Sequence, residues 1–80
     1  MNKSEYLKVV GERVRSIRLA KNLTQLDVVG RMTGEIDTTN ISRIECGRTN
    51  PTIFTMYRLA EALEVPVSDF FKLEELSLEL

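Results

Sequence analysis

The chain has 80 residues, 42% hydrophobic and 29% charged, which fits one small globular domain and excludes a disordered or fibrous chain. With no histidine and one cysteine, Cys46, it cannot supply imidazole catalysis, a Ser-His-Asp arrangement, an imidazole- or Cys-rich metal site, or an intrachain disulfide. The net charge of −1 is unevenly divided: residues 1–48 hold nine Lys/Arg against six Asp/Glu, and residues 49–80 hold two against six. That split reflects either two faces with different partners or an ordinary fluctuation in surface charge.

Punctuation residues divide the chain into about five helical segments. The first is predicted over residues 4–21, with Leu7, Val10, Val14 and Ile17 at helical spacing. Ser4 is expected to cap it, and Asn22 to end it in the left-handed conformation. The second covers residues 25–33, opened by Thr24-Gln25-Leu26-Asp27 as a capping-box variant. Val28, Val29 and Met32 form its apolar side, and Gly34 is its expected stop. The third covers residues 38–46, capped by Asp37, anchored by Ile41 and Ile44 and closed by Gly47.

A turn at Asn50-Pro51-Thr52 opens the fourth segment, residues 53–63, whose stripe is Ile53, Met56, Leu59, Ala60 and Leu63. Pro66 separates it from a fifth segment over residues 69–76, with Ser68 as cap. No repeat or linker interrupts this order, so the expectation is one all-α domain over residues 1–80. No window approaches the ~18 apolar residues of a membrane span, and the N-terminus has no secretory pattern. A cytoplasmic protein is expected, in keeping with its lone cysteine.

Segments two and three are the informative pair. Thr38, Thr39, Asn40, Ser42 and Arg43 make a poor set for helix stability. They suit a helix that presents donors and acceptors to base edges in a major groove. A short helix, a tight turn and a second helix with a polar outer face outline a helix-turn-helix. On the residues alone, the same set also serves as a polar first turn satisfying the helix end.

Gly11-Glu12-Arg13-Val14-Arg15, Leu23-Thr24-Gln25, Ile41 through Pro51 and Leu59 through Val65 together form an ordered series. It resembles the Cro/repressor-type (XRE-like) helix-turn-helix family over about residues 8–71. Among members, the chain is most like restriction–modification controller proteins or small phage repressors. The resemblance implies a five-helix, lambda-repressor-like domain that binds a two-fold operator on double-stranded DNA as a homodimer, without cofactor or metal. It also admits RNA polymerase as a partner.

The resemblance further implies residue roles. Gln25 matches a residue that contacts phosphate and buttresses the recognition helix. Thr38 and Thr39 match base-reading positions, and Asn40 and Ser42 face backbone or base edges. Arg43 matches a third reading position, suited to a bidentate contact with guanine. Arg48 and Asn50 match phosphate contacts. Arg18 and Glu45 match a buried ion pair between the first and third helices. Two departures stand out. The interval from Gln25 to Ile41 is two residues longer than the commonest spacing, with the extra residues placed in Met32–Ile36, lengthening the second helix or its turn. Val29 replaces the usual alanine, with Gly30 as the small residue in its stead.

The last segment carries more apolar surface than one small domain covers. Phe54, Phe71, Leu73, Leu76 and Leu78 are expected to form a two-fold dimer interface, or else to close the monomer's own core. A DNA-binding regulator is thus the leading expectation. The alternative is an antitoxin or other protein-interaction module that uses the apolar C-terminal surface. An enzyme is disfavoured by the missing histidine, metal cluster and glycine-rich phosphate loop.

Overall fold

A computed structural model of the chain describes residues 1–72. Four α-helices and one short 3-10 helix follow in order: α1 Lys3–Ala20, α2 Gln25–Arg31, α3 Thr38–Glu45, α4 Ile53–Leu63, then the 3-10 helix Val67–Phe71. There is no strand among the described residues, so the all-α class holds.

Local chemistry sets the helix ends. Asn2, not Ser4, caps α1, its side chain accepting from the Glu5 N–H at 2.9 Å. Two residues beyond the end of α1, Asn22 is left-handed (φ 58°), and the Leu23 N–H closes back onto the Arg18 carbonyl. Thr24 and Asp27 form the reciprocal capping box of α2 at 3.0 and 2.9 Å. Asp37 caps α3 by accepting from the Asn40 N–H, and Thr52 caps α4 by accepting from Thr55. Gly47 (φ 70°) lets the Arg48 N–H return to the Arg43 carbonyl at 2.8 Å, which ends α3. At the end of α4, Glu64 adopts the same left-handed conformation (φ 57°).

Val14, Val28, Ile41, Leu59, Leu63 and Phe70 are fully buried, so every helix contributes to one core. α1 packs on α3 and on the 3-10 helix, while α2 and α4 pack on each other; α2 also meets α3, and α4 also meets the 3-10 helix. α1 and α3 approach closely because Gly11 has no side chain. A Cβ there would lie 2.3 Å from the Ile44 carbonyl oxygen and 2.6 Å from that of Glu45.

Four local expectations are corrected. α2 ends at Arg31 and not at residue 33, so of the two places given for the extra residues in Met32–Ile36 it is the turn that is longer. Gly30 faces open space and makes no close helix contact. Ile53, the first residue of α4, is 77% exposed and lines a surface groove, whereas Met56 and Leu59 on the same stripe are buried. In the described part of the expected segment 69–76, the chain forms the end of a 3-10 helix and not an α-helix capped by Ser68. The 3-10 helix begins with Pro66 as cap, has no side-chain capping bond, and contains Ser68 within its turn. The expected residues 73–76 of that segment, and Leu73, Leu76 and Leu78, lie outside the described residues.

Candidate nucleic-acid interface

α3 has two opposite faces. Ile41, Ile44 and Glu45 are buried against the core, whereas Thr39, Asn40 and Arg43 are exposed. Their spacing of one, three and four residues places these three side chains on one outer face of the helix. Thr38 and Ser42 are half-buried at the margins of that face. Arg48 and Asn50 are exposed in the loop that follows Gly47.

A buried bidentate contact fixes the inner face. Arg18 Nε donates to Glu45 Oε2 at 2.7 Å, and Arg18 Nη2 donates to Oε1 at 3.0 Å. Arg18 Nη1 donates to the Leu23 carbonyl at 2.7 Å. Gln25 Nε2 donates to Glu45 Oε1 at 3.2 Å. The Glu45 carboxylate on α3 therefore ties together α1 and the first residue of α2, and Arg18 extends the tie to the link between them. The hydrogen bond to Glu45 holds the Arg18 guanidinium more firmly protonated than usual; burial opposes this and the charge of Glu45 adds to it. Planar fork-to-carboxylate geometry restricts rotation as well as distance, so the pair sets the angle at which α3 leaves the core.

Elsewhere, Asp27 is held below the ordinary carboxylate range by its bonds with the Thr24 backbone and hydroxyl. Among the described residues, no group of His, Cys, Asp or Glu side chains could hold a metal ion, and no helix is long and apolar enough to cross a membrane.

A second surface feature lies away from α3. An apolar groove of about 630 Å³ runs between α1, α4 and the 3-10 helix, lined by Tyr6, Leu7, Val10, Ile53, Tyr57 and Phe71. The adjacent phenylalanines divide: Phe70 is fully buried and Phe71 is 48% exposed. Phe54 is exposed at 69% on the outer side of α4.

Two features escaped the sequence. Gly11 is an ordinary mid-helix residue by pattern, and only the approach of α3 gives it a purpose. Arg58 reaches from α4 to the turn between α2 and α3, where Nη2 donates to the Thr33 carbonyl. The i, i+4 spacing of Phe54 and Arg58 was a usable signal, since it places the guanidinium over the ring, 5.4 Å from its centroid.

The helix-turn-helix family model matches residues 14–70. An uncharacterized HTH-type transcriptional regulator, y4dJ of Sinorhizobium fredii, is 41% identical over 58 residues, covering 72% of this chain and 73% of the relative. Among solved structures, the restriction–modification controller protein C.AhdI of Aeromonas hydrophila is similar at TM-score 0.76 and 28% identity, covering 81% of this chain and 96% of that one. The controller protein C.Esp1396I, solved as a tetramer on its natural 35 base-pair operator, is similar at TM-score 0.77 and 31% identity, covering 94% and 96%.

Proposed function

The chain belongs to the XRE-like helix-turn-helix family of DNA-binding transcriptional regulators, and from that premise we propose that it binds a two-fold operator as a homodimer, in the manner of a restriction–modification controller protein. The observation that carries the proposal is the outer face of α3. Thr39, Asn40 and Arg43 project from a helix clamped from behind by Arg18, Gln25 and Glu45. Such a face is pre-ordered before it meets DNA, which lowers the entropy lost on binding.

In this account Thr38, Thr39, Asn40, Ser42 and Arg43 enter the major groove. Arg43 reads guanine through its paired donors, and the short polar residues before it touch base edges or backbone. Arg48 and Asn50 meet phosphates. Gln25 has two amide N–H donors; one goes to Glu45, and the second is assigned to a phosphate. Phosphate contacts supply affinity and salt dependence, and α3 supplies discrimination.

The apolar groove and the neighbouring Phe54 are assigned to the dimer. A second copy would cover Tyr57, Ile53 and Phe71, and two copies would present their α3 helices to half-sites about one DNA turn apart, ~34 Å. The excess of acid after residue 48 would then lie away from phosphate. The same groove favours the second reading, a protein-interaction module of antitoxin type.

Enrichment of duplexes by the purified protein from a random-sequence pool, together with light scattering, separates the two. The regulator account predicts an inverted repeat with half-sites ~10 base pairs apart, binding that weakens steeply with salt, and a dimer in solution. No enrichment and no salt-dependent binding would refute it.

A further inference from the structure

We propose that Arg58 is a positioning residue for DNA reading: it pins the turn between α2 and α3 and so fixes where α3 begins. The inference rests on the function proposed above, but its structural half stands independently.

The six residues Met32–Asp37 between α2 and α3 carry no helical ladder of their own. Thr33, Gly34 and Glu35 are exposed, and Gly34 holds a left-handed φ of 85°. A turn of this kind wanders unless something outside it holds it. Met32 and Ile36 anchor its two flanks on the core, and Arg58 on α4 holds the exposed middle. Its Nη2 donates to the Thr33 carbonyl and lies so near Gly34 that a Cβ there would sit 3.0 Å away. The guanidinium also lies over the ring of Phe54, 5.4 Å from its centroid. Four residues after Thr33, Asp37 starts α3 by accepting from the Asn40 N–H at 2.9 Å. The Thr33 carbonyl is thus tethered one short step before the cap of the reading helix.

Burial alone does not explain an arginine at this position. Its Nε is enclosed and meets no acceptor among the described residues. An unpaired enclosed donor is unfavourable, and an apolar side chain of similar length would cover the same surface without it. What an apolar side chain cannot do is donate to Thr33. The choice of arginine therefore points to the turn and not to the core.

The test uses Arg58→Met and Arg58→Lys in the full chain, with two probes: the duplex that wild type enriches from a random pool, and an unselected random duplex of equal length. Arg58→Met should leave urea stability unchanged or raised. Its affinity for the enriched duplex should fall about tenfold, the effect of ordering a few loose residues on binding. Affinity for the random duplex and the salt slope should not change. Arg58→Lys should recover part of the loss, because an ammonium can also donate to a carbonyl. In the free protein, amide exchange of Asn40 and Ile41, whose N–H groups bond back to Asp37 at the start of α3, should quicken in Arg58→Met.

Equal loss on both duplexes with a salt slope lower by about one would mark a direct phosphate contact and overturn the proposal. So would full affinity for the enriched duplex, or a loss of stability that explains the loss of binding. If wild type enriches nothing, DNA reading itself fails; unchanged exchange at Asn40 and Ile41 in Arg58→Met would then still show that Arg58 does not fix the start of α3.

Discussion

Replacing Glu45 with Ala should be among the most damaging single changes in the protein. The side chains of Arg18 and Glu45 are only 9% and 2% exposed. Glu45 accepts two bonds from Arg18 and one from Gln25, and Arg18 spends its remaining contact on the Leu23 carbonyl. Removing the carboxylate strands a buried cation with a single carbonyl partner. Breaking a buried pair in this way costs about 3–5 kcal/mol. A domain of this size has a total stability of order 4–12 kcal/mol, so the variant should sit close to unfolding.

Each kcal/mol moves the melting temperature of such a domain by ~4–8 °C, so a fall of at least ~12 °C is expected. Urea midpoints and thermal melts should be taken at one fixed chain concentration, because the proposed dimerisation would add to apparent stability. The double variant Arg18→Met/Glu45→Leu, which removes both charges, should be more stable than either single variant. A loss below ~1 kcal/mol for Glu45→Ala, the range of exposed pairs, would refute the view that this contact clamps α3.

Gly11→Ala forces a Cβ to within 2.3 Å of a backbone oxygen on α3. It should lower stability in urea by ~1–3 kcal/mol, even though alanine's helix preference favours it by ~1 kcal/mol; a gain would contradict the close approach of α1 and α3. Asp27 has its carboxyl lowered in the folded state by Thr24. Its stabilisation is therefore complete above the ordinary Asp value of ~3.9 and lost as pH falls through the folded value. The margin by which wild type exceeds Asp27→Asn should close in acid melts, and a pH-independent margin would contradict the capping box. Ile53 is 77% exposed in the single chain, so Ile53→Asp should leave helicity intact and, on the proposed dimer, shift light scattering to monomer. A persistent dimer would move the interface elsewhere.

Helix ends and core anchors were legible in the sequence because they depend on neighbours a few residues apart. The Thr24–Asp27 box, the Asp37 cap and the left-handed Asn22 and Gly47 are local chemistry. Ile41, Ile44, Leu59 and Leu63 followed from period. Ile53 failed because periodicity names a face and cannot tell how far along the helix the covering neighbours extend. The start of the last segment differed because Pro66, and not Ser68, opens it, as a 3-10 helix with no side-chain cap bond. Gly30, read as the small residue in place of the alanine that Val29 replaces, faces open space, and the close approach falls at Gly11, because nothing in a single sequence reports which helix lies opposite. The Arg58 contact with Thr33 spans 25 residues and two elements, beyond the reach of any local pattern.

The central claim is that the outer face of α3 reads base sequence, and Arg43→Ala tests it most directly. Binding of wild type and variant should be compared on the enriched duplex and on random duplex at one salt concentration. Arg43 is exposed and outside the core, so the fold should be unaffected. The account predicts a loss of ~1–3 kcal/mol on the enriched duplex and little on random DNA. An equal loss on both would show that Arg43 touches phosphate alone and that α3 does not read through it.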